Sequence, residues 1–391
     1  MSRLKRVLLL IESSRAYGRG CLAGVAAYVR AHRHWRVLHV ERSLNEALPS
    51  FLARGQADGV IARIETPRLA DAIDRLGLPT VDLLGTHRPR GGGMLDTDSR
   101  QCARLAADHF LSRGFRHMGY CGYPGISFSD ERGRHFAEYL ASLGHETFVF
   151  DHAVKERAGD HIIARERGGE LSERNVAPWL RSLPKPAAVF ACNDIRGRQV
   201  LASCERAGLN VPDDVAVLGV DNDEVICDLS IPPLSSIEPD TRRLGYEGAA
   251  MLDRLMAGEL PPDGVILIPP RAVRVRPSTD VLAVDDRETA AALRYVRNHA
   301  CEGITVGVVA RRLALSRTTL DRRFRRLLGR GVKAEIDRIR VQRAKQLLDE
   351  TDYKISVVAE MAGYGLAPQF VTAFKRLVGC TPGAYRARGV R

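Results

Sequence analysis

The chain has 391 residues, of which 45% are hydrophobic and 27% charged, which is typical of a globular protein with room for two or three domains. No apolar run reaches membrane-spanning length, residues 7–11 are too short for a secretory signal, and the eight cysteines show no metal-ligand spacing. These features predict a cytoplasmic protein with no membrane segment, metal or cofactor. The net charge is +12, and residues 285–391 hold 22 of the 59 basic and 11 of the 47 acidic residues.

The first 284 residues are therefore almost neutral, and the last quarter of the chain is strongly basic. This distribution favours a neutral regulatory body joined to a domain that binds a polyanion. A solvated basic face would give the same count, so charge alone leaves both interpretations open.

Short apolar runs alternate with amphipathic helical patterns from residue 5 to about residue 270. The apolar runs are at 7–11, 59–64, 79–84, 117–121, 187–192 and 215–220. The helical patterns include 21–30, 99–113, 129–143 and 195–207. This alternation predicts parallel sheets covered by helices on both faces. Because about 270 residues is long for one sheet, we expect residues 1–270 to form a ligand-binding domain of two lobes.

Polar side chains directly follow two of the predicted strands. Asn193 and Asp194 come after the run at 187–192, and Asp221 comes after the run at 215–220. Ligands of open α/β sheets bind beyond the carboxyl ends of the strands. Carboxylate and amide groups suit the hydroxyls of a sugar, so these three are candidate ligand-binding residues. Each could instead cap the helix or turn that follows.

The same part of the chain resembles the LacI/GalR-type sugar-sensing domain, a relative of periplasmic sugar-binding proteins. The similarity rests on FACND (190–194), LNVPDDVAVLGVDN (209–222), PLSSI (233–237) and LGYEGAAML (244–252), together with Asp98 and residues 106–116. It implies two α/β lobes joined by three crossovers, closure on a small sugar, and a homodimer. It also implies that Arg132 points at sugar hydroxyls, although Arg132 could be a surface arginine.

Residues after the first strand are placed to close the site from the other lobe. Glu12, Ser13 and Tyr17 follow the run at 7–11 and complete the candidate ligand-binding set. A structural role for Glu12 stays open at this point.

Residues 271–286 predict the last strand and a linker, because Pro269, Pro270 and Pro277 interrupt any helix there. Residues 287–391 read as helices only and contain an internal repeat. Residues 306–313 correspond to 355–362 at an offset of 49, and residues 320–329 correspond to 370–379 at an offset of 50. Each repeat predicts a short helix, a tight turn and a second helix, with one extra residue in the second turn.

The second helix of each repeat is predicted to bind DNA. Leu320, Phe324 and Leu327 form the buried stripe of the first, and Phe370, Phe374 and Leu377 form that of the second. The seven arginines between 312 and 330 disfavour a plain helical bundle. The outward side chains are candidate contacts in the major groove, and they are Arg317, Thr318, Asp321, Arg322, Arg325, Gln369, Thr372, Lys375 and Arg376.

Residues 288–388 resemble the AraC/XylS family DNA-binding domain. The matching positions are Ala310, Ser316, Leu320, Phe324, Gly329, Arg340, Ala344, Leu347, Leu348, Ile355, Ala359, Gly363, Tyr364, Phe370, Phe374, Lys375, Gly379, Thr381, Pro382, Tyr385 and Arg386. The resemblance implies seven helices, with one recognition helix from each unit in successive major grooves of double-stranded DNA. Two residues depart from the pattern. Leu366 stands where a small polar residue usually caps the recognition helix of the second unit, and Pro368 stands where a polar residue that reads a base often lies.

Together these features predict a two-lobed, periplasmic-binding-protein-like α/β body, followed by an all-α domain with two helix-turn-helix units. The implied function is a sugar-gated transcription regulator, an activator of genes for catabolism of a xylose-like pentose, with RNA polymerase as a further partner. The alternative is a carbohydrate-active enzyme with a DNA-tethering tail. No nucleophile, acid–base pair or metal set appears at a workable spacing, which disfavours the enzyme.

Overall fold

The computed structural model describes residues 3–32, 35–41, 56–150, 162, 166, 169–281 and 287–389. The chain forms two compact units, Met1–Val281 and Leu282–Arg391. The strands of the first unit are β1 (Lys5–Leu10), β2 (Trp35–His39), β3 (Gly59–Ala62), β4 (Thr80–Asp82), β5 (Gly93–Thr97), β6 (His117–Cys121), β7 (Thr147–Val149), β8 (Ala187–Ala191), β9 (Val215–Val220), β10 (Ser235–Glu238), β11 (Val265–Ile268) and β12 (Ala272–Arg274). Its helices are α1 (Ala16–His32), α2 (Pro67–Asp74), α3 (Ser99–Leu111), α4 (Ser127–Ser142), α5 (Gly169–Ser182), α6 (Asp194–Ala207), α7 (Glu224–Leu229) and α8 (Thr241–Met256).

The strands form two six-stranded sheets, one in each lobe. Lobe 1 has the order β11-β5-β4-β3-β1-β2, and all of its strand pairs are parallel. Lobe 2 has the order β12-β10-β9-β8-β6-β7, in which only β12 runs antiparallel. The chain crosses between the lobes after β5, after β10 and after β11, so the three crossovers implied by the family resemblance are present.

The core strands match the apolar runs closely, because strands covered on both faces need apolar side chains throughout. Every residue of β8 and β9 is buried. In lobe 1, α1 packs against α8 at a very close approach. A Cβ at Gly24 would lie 2.1 Å from the carbonyl oxygen of Arg242, and one at Gly245 would lie 2.0 Å from that of Cys21. Glycine is therefore required where these helices cross.

The first unit extends beyond the predicted boundary at residue 270. Strand β12 pairs with β10, and Ser278 and Thr279 are fully buried. The predicted linker of residues 271–286 thus begins inside the sheet of lobe 2. Residues 282–286, where the rest of that linker falls, lie outside the described residues.

The second unit is helical throughout its described residues, as the sequence predicts. Its helices are α9 (Arg287–His299), α10 (Val306–Arg312), α11 (Arg317–Leu328), α12 (Val332–Glu350), α13 (Ile355–Met361), α14 (Ala367–Val378) and α15 (Pro382–Gly389), with a 3₁₀ turn at Ala300–Glu302. One apolar core surrounds Leu320 and Phe324 in α11, and a second surrounds Phe370 and Phe374 in α14. Leu377, predicted to be buried, is 45% exposed in the last turn of α14, where Val378 packs on the core instead.

Helix α12 runs from one core to the other and joins the two helix-turn-helix units. The Arg340 guanidinium donates hydrogen bonds of 2.7 and 2.9 Å to the carbonyl oxygens of Ala300 and Ile304. It also lies over the Tyr364 ring of the second helix-turn-helix unit, 5.2 Å from the ring centroid. None of the helices in the described part of the chain is long and apolar enough to cross a membrane.

Candidate functional site

A cavity of about 580 Å³ lies between the two lobes of the first unit. Four of the seven predicted ligand-binding residues line it, and they are Tyr17, Arg132, Asn193 and Asp221. The other three, Glu12, Ser13 and Asp194, do not reach its wall in the described structure. The cavity thus lies at the carboxyl ends of strands from both lobes, and its wall combines predicted side chains with others that the sequence analysis did not select.

Asp221 and Arg132 form the charged part of the lobe 2 wall. Arg132 is 4% exposed and donates a 2.5 Å hydrogen bond to the carbonyl oxygen of Cys192, so it is not a surface arginine. Its guanidinium lies 5.0 Å from the centroid of the Phe128 ring, which also lines the cavity. Burial raises the pKa of the Asp221 carboxyl, although Arg132 and Arg63 oppose the shift.

Asn193 caps a helix and also lies in the cavity wall. Its Oδ1 caps α6 by accepting a 2.8 Å hydrogen bond from the backbone N–H of Arg196. Its Nδ2 donates a 2.9 Å hydrogen bond to Glu166 Oε1. Since Asn193 also lines the cavity, the cap fixes the orientation that the amide presents to a ligand.

Tyr17, Asp96 and Arg63 form the polar part of the lobe 1 wall. The Tyr17 hydroxyl lies 2.8 Å from Thr97 Oγ1 and 3.5 Å from Asp96 Oδ1. The Arg63 guanidinium lies over the Tyr17 ring at 4.5 Å from its centroid. Burial raises the pKa of the Asp96 carboxyl to about 7, while its hydrogen bond from the Thr97 backbone N–H opposes the shift.

Sequence reasoning missed Arg63 and Asp96. Arg63 directly follows β3, at the same edge of the sheet that predicted Asn193 and Asp221 in lobe 2. The predicted apolar run at 59–64 includes Arg63, so the sequence placed this arginine within a strand rather than at its end. Asp96 gives no strand-end signal either, because it lies within the short strand β5, which the sequence did not predict.

Glu12, Ser13 and Asp194 have other partners, which explains why they lie away from the cavity wall. Glu12 is 2% exposed and forms an ion pair with Arg63, so it acts on the site through that arginine. The Ser13 hydroxyl and backbone N–H both bind the Glu41 carboxylate.

Asp194 holds the structure behind the lobe 2 wall. It accepts hydrogen bonds of 2.6 Å from Ser236 Oγ and 2.8 Å from the backbone N–H of Asp223. Burial, reinforced by the nearby Asp221, raises the pKa of Asp194 well above its usual range.

Polar contacts between residues of the cavity wall and partners in the opposite lobe connect the two lobes. Arg15 of lobe 1 forms a bidentate ion pair with Glu166 of lobe 2, with one contact of 2.9 Å. Glu65 Oε1 accepts a 2.8 Å hydrogen bond from the backbone N–H of Ile162. The cavity thus offers guanidinium donors, carboxylate acceptors and an aromatic face, which is the combination that recognises a polyol.

The five candidate DNA-binding residues of the first helix-turn-helix unit lie together on one face of α11. They line a shallow groove of about 480 Å³, and they are Arg317, Thr318, Asp321, Arg322 and Arg325. Asp321 is also engaged internally. Its Oδ1 accepts a 3.1 Å hydrogen bond from the backbone N–H of Val332, and its Oδ2 accepts a 2.7 Å bond from Arg325 Nε. Asp321 thereby ties α11 to the start of α12.

The four candidate DNA-binding residues of the second helix-turn-helix unit are exposed on α14. Thr372 Oγ1 donates a 3.0 Å hydrogen bond to the carbonyl oxygen of Pro368. Arg376 Nη2 lies 2.7 Å from Oδ2 of Asp337, a residue of α12 that is 3% exposed. The side chains of Gln369 and Lys375 have no polar partner among the described residues. Leu366 precedes α14 and makes no side-chain cap, as its apolar side chain predicts.

Two family models match the chain, one in each unit. A periplasmic binding protein-like domain covers residues 107–279, and a helix-turn-helix domain covers residues 309–388. Xylose operon regulatory proteins match nearly the whole chain. That of Haemophilus influenzae is 28% identical over 97% of this chain and 98% of its own length. That of Escherichia coli is 29% identical over 97% of this chain and 96% of its own length.

A solved structure agrees with these matches over both units. It is described as the xylose-binding transcription activator XylR, and it is 29% identical over 98% of each chain with a TM-score of 0.78. A LacI family regulator from Enterococcus faecium, solved with bound ribose, is 19% identical with a TM-score of 0.55 over 72% of this chain and 99% of its own. At that identity the second likeness concerns the fold of the first unit alone.

Proposed function

We propose that this chain, which is similar to the xylose operon regulatory proteins over nearly its whole length, is a DNA-binding transcription activator that responds to a xylose-like pentose. The relatives are transcription regulators rather than enzymes. The observation that carries the proposal is one cavity lined by donors and acceptors from both lobes, in a chain that also holds two helix-turn-helix units. A ligand that bridges two lobes favours one lobe arrangement, which is the requirement for a sensor.

The proposed sugar contacts combine prediction and geometry. Tyr17, Arg132, Asn193 and Asp221 are retained from the sequence, and Arg63 and Asp96 are added because they line the same cavity. Glu12 and Asp194 support this wall from behind, and Ser13 has no part in it. The proposed DNA contacts are Arg317, Thr318, Arg322, Arg325, Gln369, Thr372 and Lys375, with Asp321 and Arg376 shared between DNA and the fold.

Three further partners and properties follow from the regulator function. We propose that the protein acts in the cytoplasm, where it meets DNA, and that it forms a homodimer through its first unit. As an activator it would contact RNA polymerase. Sedimentation should give twice the 43.1 kDa chain mass, and a monomer at micromolar concentration would contradict the dimer.

The test is reciprocal linkage between sugar and DNA. A duplex is first selected by the full chain from a random-sequence library, and a panel of pentoses and hexoses is screened for a rise in Tm. We expect a pentose to give the largest shift. The duplex should then change the sugar Kd by the same factor, about 5–150-fold, by which the sugar changes the duplex Kd. Failure of every panel sugar to bind, or of any duplex to be enriched, would overturn the proposal.

A further inference from the structure

Residues 276–279, the exit segment, are the last buried part of the first unit before the chain leaves for the helical unit. Ser278 lies between two strands of lobe 2 with no exposed surface. Its hydroxyl donates a 2.7 Å hydrogen bond to the carbonyl oxygen of Val217 in β9 and accepts one of 2.7 Å from the backbone N–H of Ser235 in β10. The exit segment is therefore built into the sheet that carries Asp221.

Thr279 fastens the other side of the exit segment. Its hydroxyl lies 2.7 Å from Ser235 Oγ and 2.8 Å from His109 Nε2, and its carbonyl oxygen accepts a 2.9 Å hydrogen bond from Arg113 Nε. Burial lowers the pKa of His109 to about 3, so the ring is neutral at physiological pH. Every hydrogen-bond partner of the exit segment among the described residues belongs to lobe 2. The exit segment therefore moves with that lobe.

Arg276 connects the exit segment to residues 221–222, the sugar-site loop. Its Nη1 donates a 2.9 Å hydrogen bond to Asn222 Oδ1, and its Nε donates one of 2.7 Å to Asp228 Oδ1. Asn222 directly follows Asp221, and both hold positive φ angles of 47° and 113°. Positive φ is uncommon outside glycine, although Asp and Asn adopt it more readily than other residues, so contacts such as the one from Arg276 help to hold the shape of this loop.

We propose that Arg276 is a positioning residue that couples the sugar site to the DNA-binding unit through Asn222. The inference rests on the proposed function. A sugar bound to Asp221 stabilises one shape of the Asp221–Asn222 loop, and Arg276 joins that loop to the exit segment. Sugar binding thereby favours one arrangement of the exit segment, from which the chain continues to the DNA-binding unit.

The test uses substitutions that separate coupling from binding. Asn222→Gly tolerates the positive φ but removes the acceptor, and Asn222→Asp keeps an acceptor for Arg276. Arg276→Lys retains the charge but cannot reach Asn222, Asp228 and the carbonyl oxygen of Leu234 together. Arg274→Lys is the matched control, because Arg274 lies on β12, pairs with Glu238 and does not contact the sugar-site loop.

The measurement is the ratio of sugar Kd without and with the selected duplex, for the full chain and each variant. The probe is D-xylose, or the panel sugar with the largest thermal shift. We expect wild type, Asn222→Asp and Arg274→Lys to keep a ratio of about 5–150. Asn222→Gly and Arg276→Lys should fall to within about twofold of unity, with the sugar Kd in the absence of DNA changed less than about threefold.

The possible failures are distinguishable. A wild-type ratio of one would overturn the proposed function and this inference with it. Wild-type coupling that persists unchanged in Asn222→Gly and Arg276→Lys would overturn the inference alone. Loss of sugar affinity with an unchanged ratio would make Asn222 a support of the sugar site only, and would also overturn the inference.

Discussion

At the residue scale, the two neighbouring carboxyl groups of lobe 2 have different surroundings. Asp221 faces the cavity and has no hydrogen-bonded side-chain partner among the described residues. Asp194 is 1% exposed and accepts hydrogen bonds from Ser236, Asp223 and Cys227. A free acceptor in a cavity suits a ligand, whereas a saturated one serves the fold.

Asp221→Asn should therefore weaken sugar binding without unfolding the free chain. Asparagine tolerates the positive φ of this position but removes the charge from the hydrogen bonds to sugar hydroxyls. We expect a loss of about 1.5–3 kcal/mol, or 10–150-fold in Kd, by calorimetry. Asp194→Asn, the comparison variant, should lower Tm in the absence of sugar. Unchanged affinity in Asp221→Asn would remove Asp221 from the site.

Asp96 predicts a pH dependence of stability. Its pKa is about 7 in the folded chain and near the ordinary value of 3.8 when unfolded. An acid with a raised pKa destabilises the folded state as pH rises between those two values, because ionisation costs more in the folded chain. Asp96→Asn should thus raise Tm at pH 8 relative to wild type by more than it does at pH 5. Equal differences at both pH values would contradict the shift.

At the element scale, the turns of the two helix-turn-helix units solve the same problem with different residues. Ala314 holds a φ of 53° in the first turn, and its counterpart Gly363 holds 84° in the second. Four residues separate α10 from α11, and five separate α13 from α14, which confirms the extra residue predicted from the offsets. The first turn therefore accepts a strain that glycine avoids in the second.

Ala314→Gly should stabilise the helical unit, residues 282–391. The left-handed conformation costs alanine about 1–2 kcal/mol, and the greater freedom of glycine in the unfolded chain offsets part of the gain. We expect a net increase of about 0.5–1 kcal/mol in the free energy of unfolding, measured by denaturant titration. Ala291→Gly, within helix α9, should destabilise by about 1 kcal/mol. A loss of stability in Ala314→Gly would argue against strain at this turn.

Neighbouring cations on α14 should behave differently. Among the described residues, loss of Arg376 leaves the buried Asp337 with Lys333 as its remaining ion-pair partner, at 3.4 Å. Arg376→Ala should therefore destabilise the helical unit by about 1–2 kcal/mol as well as weaken DNA binding. Lys375 has no such partner among the described residues. Lys375→Ala should weaken DNA binding with the free energy of unfolding unchanged. Equal stability losses in the two variants would refute the role of Arg376 in the fold.

At the scale of the whole molecule, the two units differ in net charge. The excess of basic residues after residue 284 belongs almost entirely to the helical unit, and the first unit is close to neutral. Since a neutral first unit attracts phosphate groups little, we expect the helical unit to set the affinity for DNA. This separation makes the salt dependence of binding a property of the second unit.

The salt dependence of DNA binding should therefore be similar for the full chain and for residues 282–391. The slope of log Kobs against log[salt] is compared for each helical unit bound. With 6–8 phosphates neutralised, the slope should lie at roughly −5 to −7. Filter binding or fluorescence anisotropy between about 50 and 200 mM salt provides the measurement. A slope near zero for residues 282–391 would contradict DNA binding by this unit.

The sequence by itself determined the features that follow from local pattern. Continuous apolar runs identified β6, β8 and β9, and the offset repeat identified both helix-turn-helix units, because side-chain periodicity reflects burial directly. Short strands such as β5 and β7 escaped prediction. They have few residues, and their pairing with distant strands stabilises them more than their own composition does.

Only the tertiary structure decided which side chains meet. Arg63 and Asp96 line the cavity because the crossovers place strand ends of the two lobes opposite each other. Glu12 pairs with Arg63 and does not line the cavity. Arg376 pairs with Asp337 across 39 positions of the chain. Such partnerships depend on distances between elements that are remote in sequence, and no local pattern encodes those distances.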